Sequence, residues 1–235
     1  MKENLIIAGY QGSDSIHTKS VEYFIDELSR DFVTDFIMDV TNDGDKASSI
    51  IEKTQHGEKA IQLNSGDYYY SQCIYQFAHE LAHVRADFQP ISHQNKWLEE
   101  TLCETASLFV LRKLSKEWGK NAPNDALKNY RKHLATYATK VMKSRETLTT
   151  ETSPVFYQKH KKTLRKSATE REINGAFANL LLPLFEKEPI HWKILPKFPR
   201  IKGSTLAGHF AAWREDTSEN HHDFLNRFEA LFLKK

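Results

Sequence analysis

Proline placement constrains this chain more than any other feature. From Tyr70 onward, apolar residues recur at helical spacing over residues 71–87, 95–118, 124–145, 169–186 and 223–234, and Pro90, Pro123, Pro154 and Pro189 fall between these stretches. A proline lacks the N–H that a helix interior needs and its ring clashes with the preceding turn, so each of these positions separates one helix from the next. The pattern predicts a set of helices that must bury their apolar faces on one another.

The first 65 residues read differently. "NLIIAGY", "FIMDV" and "KAIQL" are short apolar or alternating runs, separated by the mixed stretches 20–30 and 47–55. This predicts strand, helix, strand, helix, strand. "TNDGD" at 41–45 and "NSGD" at 64–67 are turn signals by their Asn, Gly and Asp content. The expected class is therefore α+β: a small N-terminal mixed α/β layer with short strands, followed by a mainly helical lobe, in one domain over residues 1–235. Residues 149–166 read as a mobile basic loop, and "HWKILPKFPRIKG" as irregular.

Composition narrows the function classes. The longest apolar run, "FANLLLPLF", is broken by Asn179 and Pro183 and is far below the ~18 residues of a membrane span, so no membrane partner is expected. The opening "MKENLIIAGYQGSDS" has no extended apolar region or small-residue cleavage site, which predicts cytoplasmic residence. Cys73 and Cys103 are too few for a disulfide scaffold and are expected as buried thiols. Charge is uneven. Residues 1–60 hold 6 Lys/Arg against 12 Asp/Glu, a net of −6, and residues 119–235 hold 22 against 12, a net of +10. The basic half could favour an acidic partner, but "QKHKKTLRK" belongs to no recognised nucleic-acid module, and the expected reading is a solvated, partly helical surface.

The chemistry sits in "QFAHELAHV". On a helix His79 and His83 are about one turn apart, so their imidazoles can address one metal ion. Glu80 lies between them in angle, where its carboxylate can take a proton from an attacking water as general base. By composition such a pattern arises in roughly 4% of shuffled sequences, so the motif rule alone does not decide the matter. The surrounding Ile74, Phe77, Ala78, Leu81, Ala82 and Val84 predict a mostly buried helix, and buried imidazoles and carboxylates need partners.

"WLEETLCETASLF" begins 14 residues after His83. A two-histidine zinc site needs a third protein ligand and keeps its fourth position open. Glu99, Glu100 and Glu104 are all available. If Glu100 binds the metal and Glu104, one turn on, accepts the free N–H of a ligating histidine, both acids are satisfied and Glu99 is the exposed one.

"HELAH" followed by "WLEETLCE" resembles the gluzincin group of zinc metallopeptidases, the superfamily of thermolysin and aminopeptidase N. The resemblance covers about 30 residues of the 235. It implies a zincin-like catalytic core, Zn²⁺ held by His79, His83 and Glu100, Glu80 as catalytic base, Glu104 orienting a histidine, and a peptide or protein substrate. "ETAS" is similar to the ligand setting of repressor-directed metallopeptidase-like proteins, which makes Glu104 the rival ligand. In gluzincins the edge strand before the metal helix binds extended peptide, and residues 59–64 stand in the corresponding place. Such enzymes also supply a residue that stabilises the oxyanion, for which Tyr130, Tyr137, Tyr157, His191 and His209 are candidates. The alternative is a regulatory or nucleic-acid-associated protein that keeps the metal site and binds through its basic half.

Overall fold

A computed structural model describes the backbone of residues 6–11, 37–42, 49–53 and 58–63, and both backbone and side chains of residues 70–86, 93–122 and 125–233. The chain forms two compact units, Met1–Val84 with Ser107–Lys140, and Arg85–Ala106 with Val141–Lys235.

The first unit contains strands β1 (Ile6–Gln11), β2 (Ile37–Asn42), β3 (Ser49–Lys53) and β4 (Glu58–Leu63), hydrogen-bonded in the order β1-β2-β4-β3. The β1–β2 and β2–β4 pairs are parallel, and β3–β4 is antiparallel. Two expectations fail here. Residues 47–55 were expected to be helical, yet 49–53 form a strand. Adjacent Ile50 and Ile51 are β-branched, and a segment this short recovers little of the cost of nucleating a helix, whereas pairing with β4 satisfies its backbone at once. Residues 59–64 were expected to be a sheet edge open to peptide. Instead β4 pairs with β2 from Met38↔Lys59 to Asn42↔Leu63 and with β3 from Ser49↔Gln62 to Lys53↔Glu58. Both sides are taken, so a substrate strand has no edge to join on β4. The helix expected at 20–30 lies outside the described residues.

The expected class is corrected as well. Of the residues whose side chains are described, 79% are helical and none lies in a strand, so the part of the chain that carries the candidate chemistry is a helical, bundle-like fold and not an α+β layer with a zincin-like core. The reason is visible in the helices themselves. Each presents an apolar face broad enough to be covered by other helices.

Helix α1 (Tyr70–Arg85) buries Ile74, Phe77, Ala78, Leu81 and Ala82, the i, i+3, i+4 pattern of a core-facing helix. Helix α2 (Lys96–Asn121) is followed by α3 (Asp125–Lys143), whose buried residues are Leu127, Leu134 and Ala138. Within the first unit Ser71 is tied to Tyr130, its N–H donating to the phenol oxygen at 3.1 Å and the two hydroxyls lying 3.0 Å apart. Ser107 donates to the Tyr75 carbonyl at 2.8 Å.

In the second unit, residues 153–166 are a helix, α4 (Ser153–Lys166), where the sequence reading expected a mobile loop. Pro154 sits in the first turn, where a missing N–H costs nothing, and Phe156, Tyr157 and Leu164 are buried. Helix α5 (Arg171–Lys187) leads into a 3-10 helix, Pro189–Lys197, which overlaps the first half of the stretch expected to be irregular. Helix α6 (Leu206–Asp216), also unforeseen, starts on Thr205, whose hydroxyl accepts the Gly208 N–H at 3.0 Å. A short 3-10 turn, Glu219–His221, precedes α7 (His222–Ala230).

The core of this unit is aromatic. Trp97 stacks on Tyr157 at 5.5 Å and meets the edge of Phe232 at 5.3 Å, Phe185 stacks on Trp192 at 4.0 Å, and Phe210 and Phe228 cross edge to face at 5.2 Å. Contacts of this geometry each contribute roughly 0.5–1.5 kcal/mol beyond their buried area.

Candidate functional site

Helix geometry places His79 and His83 side by side on α1. Their ring centroids are 5.1 Å apart with planes inclined at 67°. His79 is half-buried, while His83 and Glu80 are buried. Two imidazoles thus stand one turn apart, with Glu80 between them in sequence, on an element held by its apolar residues.

Glu99, Glu100 and Glu104 of α2 belong to the second unit. Glu99 was expected to be exposed but is only 2% accessible, and Arg200 lies 4.0 Å from its carboxylate. The Arg200 guanidinium also donates to the Ala86 carbonyl. Glu100 is half-buried. Glu104 is buried and accepts a hydrogen bond from the Arg145 guanidinium, an ion pair in which both side chains are about one-tenth exposed. Neither arginine was singled out by the sequence reading. Arg145 lies 41 residues from its partner, and no local spacing announces such a pair.

The five residues considered for oxyanion stabilisation stand in different surroundings. Tyr130 bonds Ser71, and Tyr137 meets Tyr75 edge to face at 6.0 Å. Tyr157 lies in the aromatic core, where burial raises its phenol above the ordinary value. His191 is hydrogen-bonded to Glu188 and His221. His209 is fully buried between Phe198 at 4.8 Å and Trp213 at 6.0 Å, with His93 stacked at 6.0 Å. Neither ring nitrogen of His209 has a hydrogen-bond partner among the described residues, and burial, followed by the neighbouring His93, lowers its pKa to about 3. It is therefore neutral across the physiological range.

Cys73 and Cys103 are buried and form no disulfide. Among the described residues no helix is long and apolar enough to cross a membrane. No protein-family model, no curated protein and no solved structure matches this chain.

Proposed function

We propose that this protein is a zinc-dependent hydrolase that cleaves a peptide bond, with His79 and His83 as metal ligands and Glu80 as the base. The single observation that carries the reading is the pair of imidazoles one helical turn apart, with the buried Glu80 carboxylate next to the first of them. Glu100 is proposed as the third ligand on its place in "WLEE", and Glu104 as the acid that orients a histidine. Glu104 already accepts from Arg145, and its remaining lone pairs serve that second task. A zinc ion held there would supply Lewis acidity, bringing the pKa of the attacking water toward ~7. The work left to the chain is proton handling. Glu80 takes the proton as the water attacks the carbonyl and returns it to the leaving amine. A cytoplasmic location belongs to the same reading and is supported by two cysteines held as thiols.

The test is metal content. Protein purified without added metal should carry one zinc per chain, His79→Ala and His83→Ala should each lose it, and Glu80→Gln should keep it. Against a substrate selected from a peptide library, Glu80→Gln should be slower by ~100-fold or more. Protein that holds no zinc, and takes up none when it is offered to the folded chain, removes the reading.

One observation favours the second reading, a nucleic-acid-associated regulator. Helix α4 contains no acidic residue, and its Lys159, Lys162, Arg165 and Lys166 are exposed and enter no ion pair among the described residues. Apart from Val155, the apolar side chains of the same helix are buried, so it has no broad apolar face to insert into a lipid surface. Changing Lys159, Lys162 and Lys166 together to Gln should flatten the plot of log affinity for duplex DNA against log salt by about 3 units of slope, at ~0.9 for each phosphate no longer neutralised. If the unmodified protein binds no duplex at low salt, this reading is removed.

A further inference from the structure

Glu188, His191, His221 and Arg227 form a hydrogen-bonded chain in the second unit. The Arg227 guanidinium donates to both Glu188 oxygens, at 2.8 and 2.7 Å. Glu188 in turn lies 3.2 Å from Nε2 of His191, and the Nδ1 atoms of His191 and His221 face each other at 2.8 Å. Both imidazoles are buried, and His191 lies flat on Phe224 at 4.2 Å. The contact links the 3-10 helix Pro189–Lys197, which carries His191, to the turn Glu219–His221 that starts the C-terminal helix.

Proton counting sets how this contact behaves. Arg227 fixes Glu188 as a carboxylate, with its pKa lowered to about 2, so it can only accept, and His191 must present Nε2–H to it. An Nδ1···Nδ1 contact of 2.8 Å requires one N–H and one lone pair. With both rings neutral, His221 supplies the N–H and His191 the lone pair. With one added proton, one of the two rings carries N–H on both nitrogens and donates Nδ1–H to the lone pair of the other. The contact survives both states. A second added proton puts two N–H groups and two positive charges face to face, and no arrangement of protons then makes a bond.

We infer that His191 and His221 form a clasp that tolerates one proton and is released by a second, so that acidification opens the 3-10 helix Pro189–Lys197 from the Glu219–His221 turn while the rest of the unit stays folded. The surrounding charges agree. Burial chiefly, then His191, Lys193 and His222, hold the His221 imidazole below its ordinary value. The opposing charges nearby are Glu188, which Arg227 already engages and Lys187 approaches at 4.0 Å, and Asp223, which contributes to the field at Arg227. His222 is occupied separately, its Nε2 lying 2.8 Å from the Arg214 carbonyl and 3.1 Å from that of Thr217. Glu188 meets the pair through His191 alone, and none of the groups named is an acid bonded to His221.

The inference is tested on the full chain by amide hydrogen exchange at pH 7.5 and 4.5, expressed as protection factors so that the intrinsic pH dependence of exchange cancels. Protection over residues 189–197 and 219–223 should fall at least 10-fold on acidification relative to the amides of α4, and His221→Asn, which cannot take the second proton, should abolish that relative fall. Should His221→Asn not fold, titration of ¹⁵N-labelled histidines in the unmodified protein decides instead. The two imidazoles should protonate in two separated steps, with the loss of protection following the second. Equal loss of protection in α4, protection over 189–197 that does not change, or two imidazoles that titrate as independent single-step groups overturns the inference.

Discussion

Replacing His209 with phenylalanine is expected to reduce the protein's loss of stability between pH 6.5 and 4.5 by on the order of 3 kcal/mol. In the folded chain His209 is buried among Phe198, Trp213 and the stacked His93, and its pKa is lowered to about 3 from an ordinary 6.5. As pH falls below 6.5 the unfolded chain accepts a proton that the folded chain refuses, so stability is full above 6.5, falls through the window, and levels off only near 3. Each pH unit in between is worth ~1.4 kcal/mol, which over two units gives the figure above. The carboxylates act elsewhere. Glu188, lowered to about 2 by Arg227, contributes stability that is fully present above 4.5 and is lost as pH falls toward 2. The Glu188 window begins only below 4.5, so urea midpoints at pH 7.0, 5.5 and 4.5 isolate the imidazole. His93 and His221, whose pKa values burial also lowers, leave a residual slope in the same direction. An unchanged pH dependence in the His209→Phe protein would mean that the ring is not buried as described.

Arg145→Met is expected to destabilise the protein by about 3–5 kcal/mol, because it leaves the Glu104 carboxylate buried without the guanidinium that neutralises it. Glu104→Gln should cost a comparable amount for the opposite reason. The double variant should recover much of the loss, since two uncharged side chains of similar size need no counter-charge. Gly175 belongs to the same arrangement. A Cβ there would stand 2.7 Å from Cδ and Cζ of Arg145, whose guanidinium is pinned by Glu104 and also donates to the Gly175 carbonyl at 3.5 Å. Gly175→Ala should therefore cost about 1–3 kcal/mol in the parent and much less in the Arg145→Met background. Thermal or urea unfolding of these variants checks each value, and additivity of Gly175→Ala with Arg145→Met would dispose of the proposed contact. The pair also governs how the metal experiment is designed. Loss of zinc from Glu104→Ala would mix ligand chemistry with the loss of the Arg145 ion pair, so Glu104→Gln, Arg145→Met is compared with Arg145→Met alone, which differs from it only in the carboxylate.

The sequence by itself determined the features that depend on near neighbours. The helices expected at 71–87, 95–118, 124–145 and 169–186 appear as Tyr70–Arg85, Lys96–Asn121, Asp125–Lys143 and Arg171–Lys187, because apolar spacing and proline act within a few turns. The adjacency of His79 and His83 belongs to the same class, being fixed by one helical turn. Helix α4 was legible too, in Pro154 at a first turn and Phe156 and Leu164 eight residues apart, but its density of lysines outweighed that signal in the reading as a loop. What only the tertiary structure decided are pairings between residues distant in the chain. Ser49–Lys53 became a strand because Glu58–Leu63 was there to bond it, and that same pairing closed the edge on which a peptide was expected to add. Glu99, polar by type and placed near a helix start, is buried because Arg200 meets it, and His209 is neutral because three aromatic rings and a second imidazole exclude water from it. Local spacing sets which face a residue shares. Whether that face is buried, and beside which charge, depends on packing partners that a short window of sequence does not contain.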